Sequence, residues 1–129
     1  MNEEPGVPTD ADLLESVRCL VGPAIRNQLW LFPYDEDGVP MQLVVPIEGV
    51  PFTPDVVPRL AEAVLEICRS ADAGSVGLLW ERPGPQRLTP REAAAVDATV
   101  TAIRADLPVR ASFLSWDDDV TALPLRAAA

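Results

Sequence analysis

At 129 residues, 48% of them apolar, the chain is long enough for one domain with a single core and too apolar for wholesale disorder. Ten basic residues against twenty acidic ones leave a net charge of −10, which repels phosphate backbones and anionic bilayers and so disfavours nucleic acid and membrane as partners. There is no histidine, which removes the Ser-His-Asp and Cys-His nucleophile arrangements, His-ligated zinc and the commonest general base.

Residues 1–8 read as a disordered lead. They carry no basic segment followed by an apolar one, so no signal peptide is expected in them. No apolar run approaches the roughly 20 residues that span a bilayer, and a cytoplasmic location is expected. Thr9 caps a first helix with Asp10 and Asp12 in its first turn, where the helix dipole favours negative charge. Leu13, Leu14, Val17, Leu20 and Val21 form its apolar stripe, Cys19 falls on the opposite face, and Gly22-Pro23 stops it. Cys19 and Cys68 are too few for a zinc site, and with Cys19 off the apolar face the thiol is read as half-covered rather than nucleophilic.

Residues 26–34 predict an interior strand, since Leu29-Trp30-Leu31-Phe32 is apolar on both pleat faces. Asp35-Glu36-Asp37-Gly38 is turn chemistry; it lacks the ligand spacing and distal Glu of a calcium loop. Residues 41–45 then return as the antiparallel partner, and Pro46, which cannot donate to a ladder, marks an edge or an end. Thr53-Pro54-Asp55 opens a second helix with Val57, Leu60, Ala61, Val64, Ile67 and Cys68 on one face, which makes Cys68 a small core residue.

Residues 76–80 are an unbroken apolar run, read as a strand buried on both faces. Glu81-Arg82 ends it, Pro83-Gly84-Pro85 turns the chain, and Thr89-Pro90-Arg91-Glu92 is a capping box with Pro at the first helical position. The third helix, 90 to about 106, turns Ala93, Val96, Val100, Ile103 and Leu107 inward, with Ala94, Ala95, Ala98, Ala102 and Ala105 on its far side. Residues 109–116 form a fourth strand closed by Asp117-Asp118-Asp119, 120–125 form a short last strand, and 126–129 are a tail.

The elements run α-β-β-α-β-α-β. They predict a single α/β or α+β domain over 9–125, with three helices on one mixed sheet of four to five strands. Crossovers make strands two, three and four parallel, with strand one antiparallel to them and the order 2-1-3-4. This order, with the opening DLLESVRCLVGPAIRNQLWLF, resembles an uncharacterised actinobacterial domain family of unknown function, whose members begin with a Leu-rich helix, a Gly stop and a strand. The likeness covers the first two-thirds of the chain, and it implies the order of elements and no activity.

Open sheets bind ligands at the carboxyl ends of their strands. That rim gathers Glu48, Glu81, Arg82 and Trp116, with Arg26 from the start of strand one and Arg87 near a helix N-terminus. One reading is a small carboxylate or phosphate held by Arg26, Arg82, Arg87 and that helix N-terminus, with Glu81 beside it and Trp80 or Trp116 as a wall. The other is a solvated rim whose charges pair among themselves, and the abundance and weakness of exposed ion pairs favour it. No catalytic residue, metal ligand or cofactor motif is identified. The alanines Ala94, Ala98, Ala102 and Ala105 present a face on which a second copy could pack closely. The sequence therefore points to a non-catalytic protein acting through protein contacts, most simply a homodimer, with an anion-binding or enzymatic domain as the alternative.

Overall fold

A computed structural model describes residues 7–125; residues 1–6 of the expected lead and the whole 126–129 tail lie outside the described residues. The chain runs α1 (Asp10–Leu20), β1 (Gln28–Tyr34), β2 (Val45–Glu48), a 3₁₀ turn (Pro54–Val56), α2 (Val57–Ser70), β3 (Ser75–Glu81), α3 (Pro90–Arg104), β4 (Val109–Ser115) and β5 (Val120–Leu123). All five strands form one mixed sheet in the order β2-β1-β3-β4-β5. β1 is antiparallel to both β2 and β3, β3 and β4 are parallel, and β5 returns antiparallel to β4. The predicted order and directions hold, with β5 added at the far edge.

Pleating sorts the strand residues between two cores. Leu29 and Leu31 of β1, Val76, Leu78 and Trp80 of β3 and Leu114 of β4 pack beneath α2 and α3. Phe32, Tyr34, Leu79 and Phe113 face the other way and take Leu13 and Val17 of α1. A strand covered on both faces is apolar at consecutive positions, which is why 76–80 carries no alternation. Two helices start on reciprocal capping boxes. Thr9 and Asp12 exchange hydrogen bonds of 3.2 and 3.1 Å, and Thr89 and Glu92 exchange bonds of 2.8 and 3.1 Å.

Four details differ from the sequence reading. The second strand is Val45–Glu48, not 41–45. Only Tyr34 and Pro40 bridge near the turn, and two extra residues loop out before the ladder resumes at Leu31 and Val45. The 35–38 turn fixes the hairpin's start, but the register is set farther on, where Val45 and Ile47 pack on the α2–α3 core. Leu20 is not part of the buried stripe: it is 62% exposed, because α1 ends there and the chain turns away at Gly22 (φ +70°). Ala95 is buried, together with Thr99, because α2 and the 3₁₀ turn pack along α3 and widen its covered side. Pro8, assigned to the lead, is held by Arg110, whose Nη2 donates to its carbonyl at 2.9 Å. Arg110 is the residue that the β3–β4 register skips between the Val76–Val109 and Gly77–Ala111 pairs.

Pro46 lies in the edge strand with its defect turned outward. Gly49 N donates to Asn27 O at 3.1 Å, so Asn27 and Gly49 form a close hydrogen-bonded pair. Such pairs alternate along an antiparallel ladder, which directs the backbone of Val45 and Ile47 toward β1 and that of Pro46 and Glu48 toward solvent. The missing N–H therefore blunts the free edge against another strand.

Candidate functional site

One register line crosses the whole sheet at the rim: Glu48, Gln28, Glu81, Ser115 and Val120 lie side by side on successive strands. Directly opposed residues share a pleat face, so Gln28, Glu81 and Ser115 all point toward the α1 side. There they hold the segment linking α1 to β1. Ser115 Oγ donates to Gly22 O at 2.6 Å, and Ala24 N donates to Trp116 O at 2.9 Å.

Glu81 completes the attachment. Its side chain, 1% exposed, accepts from Ile25 N (2.8 Å) and Arg26 N (3.2 Å) on Oε2, and from Gln28 Nε2 (2.6 Å) and Trp30 Nε1 (2.9 Å) on Oε1. Four donors meet the four lone-pair positions of a carboxylate. Burial pushes the carboxyl up, but the bonds from Ile25, Trp30, Gln28 and Arg26 together more than offset it and hold its pKa below the ordinary value. Among the described residues, the groups that hold this charge are neutral hydrogen-bond donors.

Arg82 leaves the strand on the opposite side and is also buried. Nη1 donates to Pro85 O (2.7 Å), Nη2 to Arg87 O (3.4 Å), and Nε is ion-paired with Glu92 Oε2 at 3.0 Å. The guanidinium thus fills the inside of the 83–88 loop. Gly84 permits this, because a Cβ there would sit 2.6 Å from Arg82 Nη1 and its φ is +137°. Asp117 pins the same loop: its Oδ1 accepts from Gly84 N at 2.8 Å and its N donates to Gly84 O at 3.0 Å. The expected meeting of the β3 and β4 ends is therefore real. The Arg82→Met variant strands two carbonyls and the Glu92 carboxylate, and should lower stability by about 2–3 kcal/mol in urea unfolding. Arg82→Lys should recover only a fraction, since an ammonium cannot fork to both carbonyls.

The remaining rim residues are dispersed. Arg26 is exposed and pairs with Glu48 at 3.8 Å, Arg87 is exposed, and Trp116 is half-buried against the α2–α3 core. Of the alanines expected on the far face of α3, Ala94 and Ala98 are exposed and Ala102 is half-buried, while Ala105, also exposed, lies just past the helix as its C-cap. Cys19 is exposed, not half-covered as expected from its place on α1, and burial raises the pKa of the Cys68 thiol. Among the described residues, no group of three or more Cys, Asp or Glu side chains is placed to hold a metal ion, and no helix is long and apolar enough to cross a membrane.

Gln28, Trp30 and Ser115 belong to the rim and are not singled out by the sequence. Their only signal there is polar atoms inside apolar strands, and their common face follows from a cross-strand register that the sequence does not spell out. Beside them is a recess of about 280 Å³ lined by Leu20, Ile25, Trp30, Pro46, Glu48 and Glu81, among others. No protein-family model matches this chain, and no curated protein matches it.

Proposed function

We propose that this chain is a non-catalytic module that works through contacts with other protein chains, self-association included. The observation that carries this reading is the pair Leu20 and Ile25, 62% and 75% exposed, which border a single recess. Each large aliphatic side chain left in water forgoes about 1.5–3 kcal/mol of burial, and two of them around one concavity mark a contact surface. The rim offers less to a small anion. The Arg82 donors face the chain's own carbonyls and Glu92, and the N-terminus of α3 is covered by its capping box.

Self-association has a second surface available in the exposed alanines Ala94 and Ala98 of α3 and Ala105 at its C-cap, where small side chains permit close helix approach; a two-fold dimer is the default arrangement. Pairing through β2 is disfavoured by the outward Pro46. Light scattering from micromolar to millimolar concentration should show the average mass rising above 13.9 kDa. Ala98→Arg should reverse the rise if α3 is the contact, and Ile25→Asp if the recess is. A strict monomer at every concentration overturns self-association.

A further inference from the structure

The recess is lined by groups of several kinds. Leu20, Val21, Ile25 and Pro46 are apolar; Trp30 presents an indole and Gln28 an amide, each bonded to Glu81; Glu48 and Glu81 bring negative charge and Arg26 a positive one. Among the described residues, the donors to the Glu81 carboxylate are two backbone amides, an amide side chain and an indole, none of them a cation. Arg82, its neighbour in sequence, is engaged with Glu92. The Arg26 guanidinium, which lines the same recess, pairs with Glu48 at 3.8 Å, with both side chains more than half exposed, and such a pair is weak and readily exchanged.

We propose that this recess receives an arginine or lysine side chain from a basic segment of a partner protein. The aliphatic stem would lie against Leu20, Ile25 and Pro46, and the cationic head over the Trp30 face, in the field of Glu81 and Glu48. Each part of such a side chain has a counterpart here: apolar surface for the methylenes, an indole face for the cation, and behind it the carboxylates of Glu81 and of Glu48, the latter in a weak, exposed pair with Arg26 that an incoming cation can displace. The chain's net charge of −10 draws basic partners from a distance and opposes a second copy of equal charge in the same role. This inference rests on the reading of the chain as a protein-contact module and names the chemistry of its partner.

The test is a titration with a blocked Gly-Leu-Arg-Leu-Gly peptide, followed by NMR at a protein concentration where light scattering shows monomer. The Trp30 indole and the Ile25 and Arg26 amides should move together and saturate, with a dissociation constant on the order of 1 mM. The Trp80 and Trp116 indoles should stay in place, and the matching Glu peptide should move none of them. Glu48→Arg should weaken binding about tenfold, and Glu62→Arg, on the exposed face of α2, should leave it within about twofold. Equal weakening by both variants would reduce the effect to diffuse charge attraction and overturn the proposal, as would an unmoved Trp30 indole. Self-association is scored separately by mass, so its failure leaves this result standing, and the reverse is also true.

Discussion

Replacing Glu81 by Gln should lower the stability of this protein by about 3 kcal/mol, a drop of roughly 10 °C or more in Tm for a chain of this size. The substituted amide would keep one acceptor oxygen and turn an NH₂ group toward donors already in place. Two of Ile25 N, Arg26 N, Gln28 Nε2 and Trp30 Nε1 would then lose a partner in a buried setting. Bonds to an ionised acceptor are also about twice as strong as neutral ones. The damage should be local at first, with hydrogen exchange at Ile25 and Arg26 rising before that of the β3 core.

The same carboxylate sets a pH dependence of known sign. Its pKa is lower in the folded chain than in the unfolded one. The stabilisation is therefore complete above the unfolded carboxylate range, near ~4.3, and is lost as pH falls through the lower folded value. Wild-type unfolding free energy should fall on acidification below about pH 4.5, and Glu81→Gln should flatten that fall. Equal acid sensitivity in both proteins would mean that other carboxylates govern it.

The second large effect is expected at Trp80. This side chain is 1% exposed in the middle of the sheet, with its ring 5.3 Å from that of Phe52 at an interplanar angle of 83°, and its Nε1 donates to Ser112 Oγ at 3.2 Å. Trp80→Ala opens a cavity under α2 and α3 and should cost about 4–5 kcal/mol, made up of lost transfer, the residual void and the edge-to-face contact. Against a usual total of about 5–15 kcal/mol, such a variant stands near the limit of folding at room temperature. Trp80→Phe keeps most of the volume and loses the N–H bond, and should cost about 1–2 kcal/mol. Urea unfolding of the two variants measures the difference; similar values for both would mean that the hydrogen bond, not the packing, dominates this position.

Much of the architecture is written directly in particular residues. An apolar run without alternation at 76–80 must be covered twice, so it lies inside a sheet with helices on both sides. Thr9, Thr89 and Glu92 mark helix starts, because the free N–H groups of a first turn need acceptors close in sequence. Strand directions follow from the helices that separate the strands. The hairpin's far arm lies a few residues beyond its expected place, because 41–45 and 45–48 are both apolar enough to pair and only packing on the α2–α3 core separates them.

The chemistry of the rim is legible in the sequence only as a set of charges. Sequence determined that Glu81 and Arg82 would follow the central strand and that the β4 end would lie beside them. Tertiary structure decided that the two adjacent charges point to opposite faces and are both consumed inside the molecule, one by four donors from β1 and its approach, the other by its own loop and Glu92. Local preferences act over a few residues and are written in adjacent positions. The environment of a buried charge is set by groups about 50 residues away, such as Ile25 and Trp30 around Glu81, and comes into being only when the strands are in register.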